Sequence, residues 1–193
     1  MDCYKSISSA VRGEIKEKGS RFIAYAFAVT SADEVKDLVA GLRAEHHAAR
    51  HCTYAYRIGA GGDEWRANDD GEPSGTAGRP ILGQILSRGL SDTLVVVVRY
   101  FGGTLLGVPG LIAAYRAAAS DALDKAEVIE KIVKVELQLT VDYALLDKVL
   151  RTVKSFEARV VNMSSDEDRS VVNISVRQSK YELLVEALDK IIK

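Results

Sequence analysis

A chain of 193 residues that is 47% hydrophobic and 27% charged, with a net charge of −1, has room for one domain or two small ones around a genuine core. That balance excludes nucleic-acid binding by bulk charge, so any such role has to rest on a local patch. No apolar run approaches the roughly 20 residues needed to cross a bilayer, and the start lacks a charged-then-apolar leader, so a cytoplasmic protein is expected. Cys3 and Cys52 are too few for a disulfide framework and are expected as free thiols.

Ala10 to Val29 reads as a hairpin turning at Lys18-Gly19, with Phe22, Ala24, Ala26 and Ala28 alternating against Ile23, Tyr25 and Phe27. Ser31 and Glu34 have capping-box spacing, and Val35, Leu38, Val39 and Leu42 continue a helix from about Ala32 to His46. Cys52 to Ile58 alternates as a strand, and Gly59 to Gly62 turns into Glu64-Trp65-Arg66-Ala67.

The loop from Asn68 to Pro80 concentrates acids, glycines, prolines and hydroxyls, and it feeds a helix carrying Ile81, Leu82, Ile85 and Leu86. Thr93 to Val98 is a β-branched run typical of a well-buried strand, and it ends in Arg99-Tyr100-Phe101-Gly102-Gly103. An alanine-rich helix follows, from about Val108 to Ala126. Strands and helices alternate unevenly up to this point, so the pattern predicts an α+β two-layer sandwich with a mixed sheet.

Near Lys125 to Glu130 the texture changes, which predicts domains at 1–127 and 128–193. Val133 to Val141 alternates with period two, giving a strand with one wet face. A helix over Leu145 to Val153, strands at Ala158 to Met163 and Val172 to Val176, and a helix over Tyr181 to Leu188 complete the order βαββα. That is the ferredoxin-like plan without its last strand.

Lys18-Gly-Ser-Arg-Phe22, Ala49-Arg-His-Cys-Thr-Tyr-Ala-Tyr56, the run Asp69 to Ile81, and Arg99-Tyr-Phe-Gly-Gly103 together resemble the IMPACT family, specifically its bacterial YigZ-type members. The resemblance implies a larger domain similar to the second domain of ribosomal protein S5 and to one domain of the translocation factor EF-G. It also implies a small C-terminal domain similar to another domain of that factor. The extra N-terminal partner-binding domain of eukaryotic members is not expected here, so their kinase-regulating role does not carry over.

The candidate site residues are Arg50, His51, Glu72, Ser74, Thr76, Arg79, Arg99, Tyr100, Gly102 and Gly103. The loop Asp69 to Pro80 would offer backbone amides and Arg79 to an anion, or else form a purely structural turn. Arg99 and Tyr100 stand at the end of a buried strand, before glycines that allow close backbone approach. Arg99 either meets a ligand there or pairs with Glu72 or Asp70. Arg50, His51, Tyr54, Tyr56 and Arg57 interleave bases with aromatics, which suits stacking on unpaired bases or a half-exposed sheet.

Ser74 has neither a nucleophile-elbow setting nor an identifiable histidine partner, and no Walker lysine follows the glycines. The acids at 63, 64, 69, 70 and 72 lack EF-hand spacing, and His47 with His51 straddles a helix end, so neither a metal nor a cofactor is expected. The expected function is translation-linked binding of RNA, the ribosome or a ribosome-associated factor through a groove in the larger domain. The alternative is an enzyme or small-ligand binder for a phosphorylated or carboxylated metabolite, using the 69–79 and 99–103 loops.

Overall fold

The computed structural model describes residues 2–166 and 168–192, and the counts that follow are of those residues. Two compact units divide the chain: Tyr4–Lys131, and Ile132–Lys193 together with Met1–Cys3.

The first unit is built on a five-stranded sheet in the order β2-β3-β6-β4-β5, from β2 (Val11–Glu17), β3 (Ser20–Ala28), β4 (His51–Ile58), β5 (Glu64–Asn68) and β6 (Thr93–Tyr100). Every pair in it is antiparallel, so the expectation of a mixed sheet is corrected. The reason is β6, which inserts between β3 and β4 and runs against both. β3 and β4 are therefore parallel without touching, and α1 (Ala32–Glu45) makes the crossover between them.

β6 is the buried centre, and its alternation faces two different cores. Leu94, Val96 and Val98 join Val35 and Leu42 of α1, with Cys52, Tyr56 and Ile58 of β4. Val95 and Val97 join Phe22, Ala24 and Ala26, packed against α2 (Gly78–Ser87) and α3 (Gly107–Leu123). Helices thus cover both faces, and the larger unit has three layers where the pattern suggested two. Repeated alanines at 114, 118, 119 and 122 let α3 lie close to the sheet.

Ser31 caps α1 as its spacing implies, its Oγ accepting from Glu34 N at 3.3 Å. Glu34 Oε2 accepts from Thr30 N at 2.6 Å, one residue before the position a regular capping box would use. The sequence reading missed a separate two-stranded ladder between β1 (Cys3–Ile7) and β7 (Val128–Ile132). Within the first unit Asp92 ties these strands in, accepting from Tyr4 Oη at 2.6 Å, Lys131 Nζ at 2.9 Å and Gly59 N at 2.9 Å.

The second unit carries β8 (Lys134–Asp142), α4 (Tyr143–Ser155), β9 (Arg159–Ser165), β10 (Arg169–Arg177) and α5 (Tyr181–Ile192). Its sheet runs β8-β10-β9, with antiparallel pairs. Val141, Val172, Ile174 and Val176 pack under Val149, Val153, Leu184 and Leu188 of the two helices. Glu136, Gln138 and Thr140 stay exposed, so the period-two pattern does make one dry and one wet face. No helix among the described residues is long and apolar enough to cross a membrane.

Candidate functional site

On the α2 and α3 side of the sheet, three side chains stand in a row across adjacent strands. Phe22 of β3 pairs with Arg99 of β6, and Arg99 pairs with His51 of β4. Directly opposed residues on one sheet face lie within side-chain reach of each other. Arg99 is only 5% exposed, with its guanidinium carbon 5.4 Å from the centre of the Phe22 ring and 5.7 Å from that of Phe101.

A guanidinium so deeply placed needs a counter-charge, and the loop before α2 supplies Glu72. Arg99 Nη1 donates to Glu72 Oε1 at 2.6 Å, and Tyr115 Oη of α3 donates to the same oxygen at 2.7 Å. Burial first, and then this bond to a carboxylate, push the Tyr115 phenol far above its ordinary range. Of the two partners open to Arg99 in the sequence, Glu72 is therefore the one used. Asp70 is committed elsewhere: its Oδ1 lies 2.6 Å from Arg43 Nη2, and its Oδ2 accepts from Cys52 N at 2.7 Å.

His51 Nδ1 lies 2.8 Å from the carbonyl oxygen of Asp70. A carbonyl only accepts, so a proton sits on Nδ1. His51 Nε2 is 3.8 Å from Glu72 Oε1. Among the described residues, one buried side-chain polar atom has no partner, and it is Arg99 Nε. Arg99 Nε and His51 Nε2 thus stand on neighbouring strands, each without a protein hydrogen bond.

These groups line one wall of a cavity of about 320 Å³. The other walls are apolar: Pro73 from the loop before α2, and Phe101, Leu105, Leu106, Val108 and Leu111 from the turn into α3. Phe101 is 41% exposed, Val108 51% and Leu105 84%, so the rim is an apolar lip open to solvent. Arg50 closes it, its guanidinium carbon 5.8 Å from the centre of the Phe101 ring.

Four of the candidate residues, Arg50, His51, Glu72 and Arg99, come together in this cavity. Tyr100 points to the opposite sheet face, where its hydroxyl lies 2.8 Å from His46 Nδ1. It lines a separate depression on the far side of Arg50 and Phe101. Thr76 is buried and donates to the Pro73 carbonyl at 2.7 Å, while Ser74 is exposed outside the cavity lining. Arg79 lies in a different cleft, between α2 and α3. Gly102 is structural: a Cβ there would sit 1.9 Å from the carbonyl carbon of Gly19, so the two glycine turns touch through bare backbone. Gly103, at φ +89, only turns the chain.

Of the two readings open for the loop Asp69 to Pro80, an anion site or a structural turn, its internal hydrogen bonds fit the turn. Asp69 Oδ1 accepts from Ala77 N at 3.0 Å and Gly78 N at 2.8 Å, and its Oδ2 from Gly75 N at 2.8 Å. The protein's own carboxylate occupies the helix N-terminus. Burial raises the Asp69 pKa, but these three N–H donors and the Arg79 charge outweigh it and leave the carboxyl below its usual range. The apolar lip from Leu105 to Val108 was the part of the site that sequence reasoning missed. Leu105 and Val108 of this lip are exposed while Leu106 between them is buried in the core, and nothing in their spacing separates the two settings.

An α+β chain of two units with a mostly apolar cavity at the carboxyl end of its central strand is the class that fold and site define. Residues 18–123 match the Impact N-terminal domain. IMPACT family member YvyE of Bacillus subtilis is 39% identical over 146 residues, covering 76% of this chain and 67% of that protein. IMPACT family member YigZ of Escherichia coli is 36% identical over 147 residues, covering 75% and 72%. A crystal structure described as that of a hypothetical protein superposes with a TM-score of 0.78 at 29% identity, over 98% of this chain and 93% of that one. The chain belongs to the IMPACT family.

Proposed function

We propose that this protein is a cytoplasmic, non-enzymatic binding protein of the translation apparatus that takes an unpaired base of single-stranded RNA into the cavity beneath Phe101. The translation link rests on the family and on the resemblance of its two domains, taken as 1–127 and 128–193, to ribosomal protein S5 and EF-G folds. The smaller domain, with its two helices on one sheet face, is read as ferredoxin-like. The site residues rest on geometry.

The observation that carries the reading is that an exposed aromatic ring, Phe101, lines the same cavity as the Arg99 and His51 side chains. A base needs a π-face to stack on and a neighbouring donor and acceptor for its edge. Phe101 with Arg50 over it supplies the first, and Arg99 and His51, which both line the cavity, supply polar groups for the second. The test is anisotropy of a labelled single-stranded RNA at about 50 and about 200 mM salt, with binding weakening as salt rises. Phe101→Ala should cost about 1–3 kcal/mol, the usual worth of one stacked base. No binding to RNA or ribosomes at low salt would overturn the reading.

One observation favours a second occupant. Arg99 is a cation in the cavity wall, which also suits the carboxylate or phosphate of a small metabolite whose apolar part lies against Leu106 and Leu111. A thermal-shift screen of such metabolites separates the two, since a small ligand stabilises the fold by mass action without any RNA.

A further inference from the structure

The arginines of the first unit are mostly spoken for. Arg12 and Arg21 meet Glu14, Arg43 meets Asp70, Arg88 meets Asp124, Arg99 meets Glu72, and Arg57 donates to backbone carbonyls at Gly61 and Leu90. The side chains of Arg50, Arg66, Arg79 and Arg116 make no hydrogen bond or ion pair among the described residues, and of these Arg79 and Arg116 together line one cleft of about 400 Å³ between α2 and α3.

No acid lines that cleft. Asp69 is near enough to feel the charge of Arg79, but its oxygens are taken by the amides of residues 75, 77 and 78. The floor is open backbone at Gly75 and Gly83, and an added Cβ at Gly83 would meet nothing within 4 Å. Gln84 adds an amide. In a chain with 26 basic and 27 acidic residues, two guanidiniums sharing a cleft without a carboxylate leave a local surplus of positive charge.

We propose that the Arg79–Arg116 cleft is a phosphate-binding site for the backbone of the same RNA whose base enters the cavity. Guanidiniums match phosphate oxygens as paired donors, and glycines let a chain approach the helix backbone. The two hollows lie side by side along the protein. Leu111 of α3 lines the cavity while its neighbour Ile112 lines the cleft, and in the loop Pro73 lines the cavity while Gly75 lines the cleft. The proposal rests on the RNA reading above, and it assigns the two halves of a nucleotide to separate hollows.

The experiment compares the salt dependence of binding of a labelled uridine decamer to the wild-type chain, the Arg79→Gln/Arg116→Gln double variant and Phe101→Ala. Each lost phosphate contact on a single strand lowers the slope of log K against log salt by about 0.7, so the double variant should lose up to about 1.4. Phe101→Ala should weaken binding with its slope intact. An unchanged slope in the double variant overturns the phosphate site while leaving the base cavity standing. If the wild-type chain binds no RNA, the arginine Nε–Hε resonances are followed during titration with inorganic phosphate against chloride at equal ionic strength. Shifts confined to Arg79 and Arg116 then support the cleft as a site for free phosphate, and their absence overturns it.

Discussion

Arg99 and Glu72 are joined at 2.6 Å, with 7% and 3% of their side chains exposed, so each offsets the cost of burying the other. The pair joins the end of β6 to the loop before α2, and Tyr115 brings in α3. Replacing Glu72 by Ala leaves Arg99 buried and uncompensated, a change that typically costs about 3–5 kcal/mol. Urea unfolding of Glu72→Ala should show that loss, and Tyr115→Phe a smaller one of about 1–3 kcal/mol. For the same reason Arg99→Ala is a poor test of ligand binding, because it destabilises the loop that carries Pro73.

Asp69 should make α2 acid-sensitive. Its folded pKa lies below the ordinary carboxylate value, so its contribution is fully present above about pH 4 and drains away as pH falls through the folded value. Asp69→Ala should lose about 1–3 kcal/mol near neutrality. The gap to wild type in urea midpoint should then close in acid. A gap that stays constant down to pH 2 would contradict this role.

Gly102→Ala should be costly, because its Cβ would fall 1.9 Å from the Gly19 backbone. Overpacking of this kind costs about 1–3 kcal/mol or more, and the Lys18-Gly19 turn has to move. Gly41→Ala in α1 is the control, since nothing lies within 4 Å of its added Cβ. It should stabilise by up to about 1 kcal/mol through helix propensity. Thermal melts of the two variants should shift in opposite directions.

Cys52 should resist alkylation. Burial pushes its thiol up to about 11, so almost no thiolate exists at pH 8. Labelling with iodoacetamide, read by peptide mass, should reach Cys52 only as the fold opens, and rapid labelling in the native state would refute its burial.

Much of the architecture was legible because it follows local periods. The β-branched run at 93–98 had to be a buried strand, and the alternation from Val133 to Val141 had to leave one face wet. The same periods could not say that α1 lies on the opposite sheet face from α2 and α3. Facing depends on β6 inserting between β3 and β4, which is a non-local pairing.

The site divides the same way. By itself the sequence determined which segments would become strands, helices and glycine turns, since those depend on neighbours along the chain. It also brought Arg50, His51, Glu72 and Arg99 into view, because such groups are rarely placed at strand ends and in turns without a partner. Only the tertiary structure decided who those partners are: Glu72 for Arg99, and the protein's own Asp69 for the helix end once offered to a ligand. Hydrogen bonds between residues 27 apart depend on distance in space, and spacing along a chain carries no record of it.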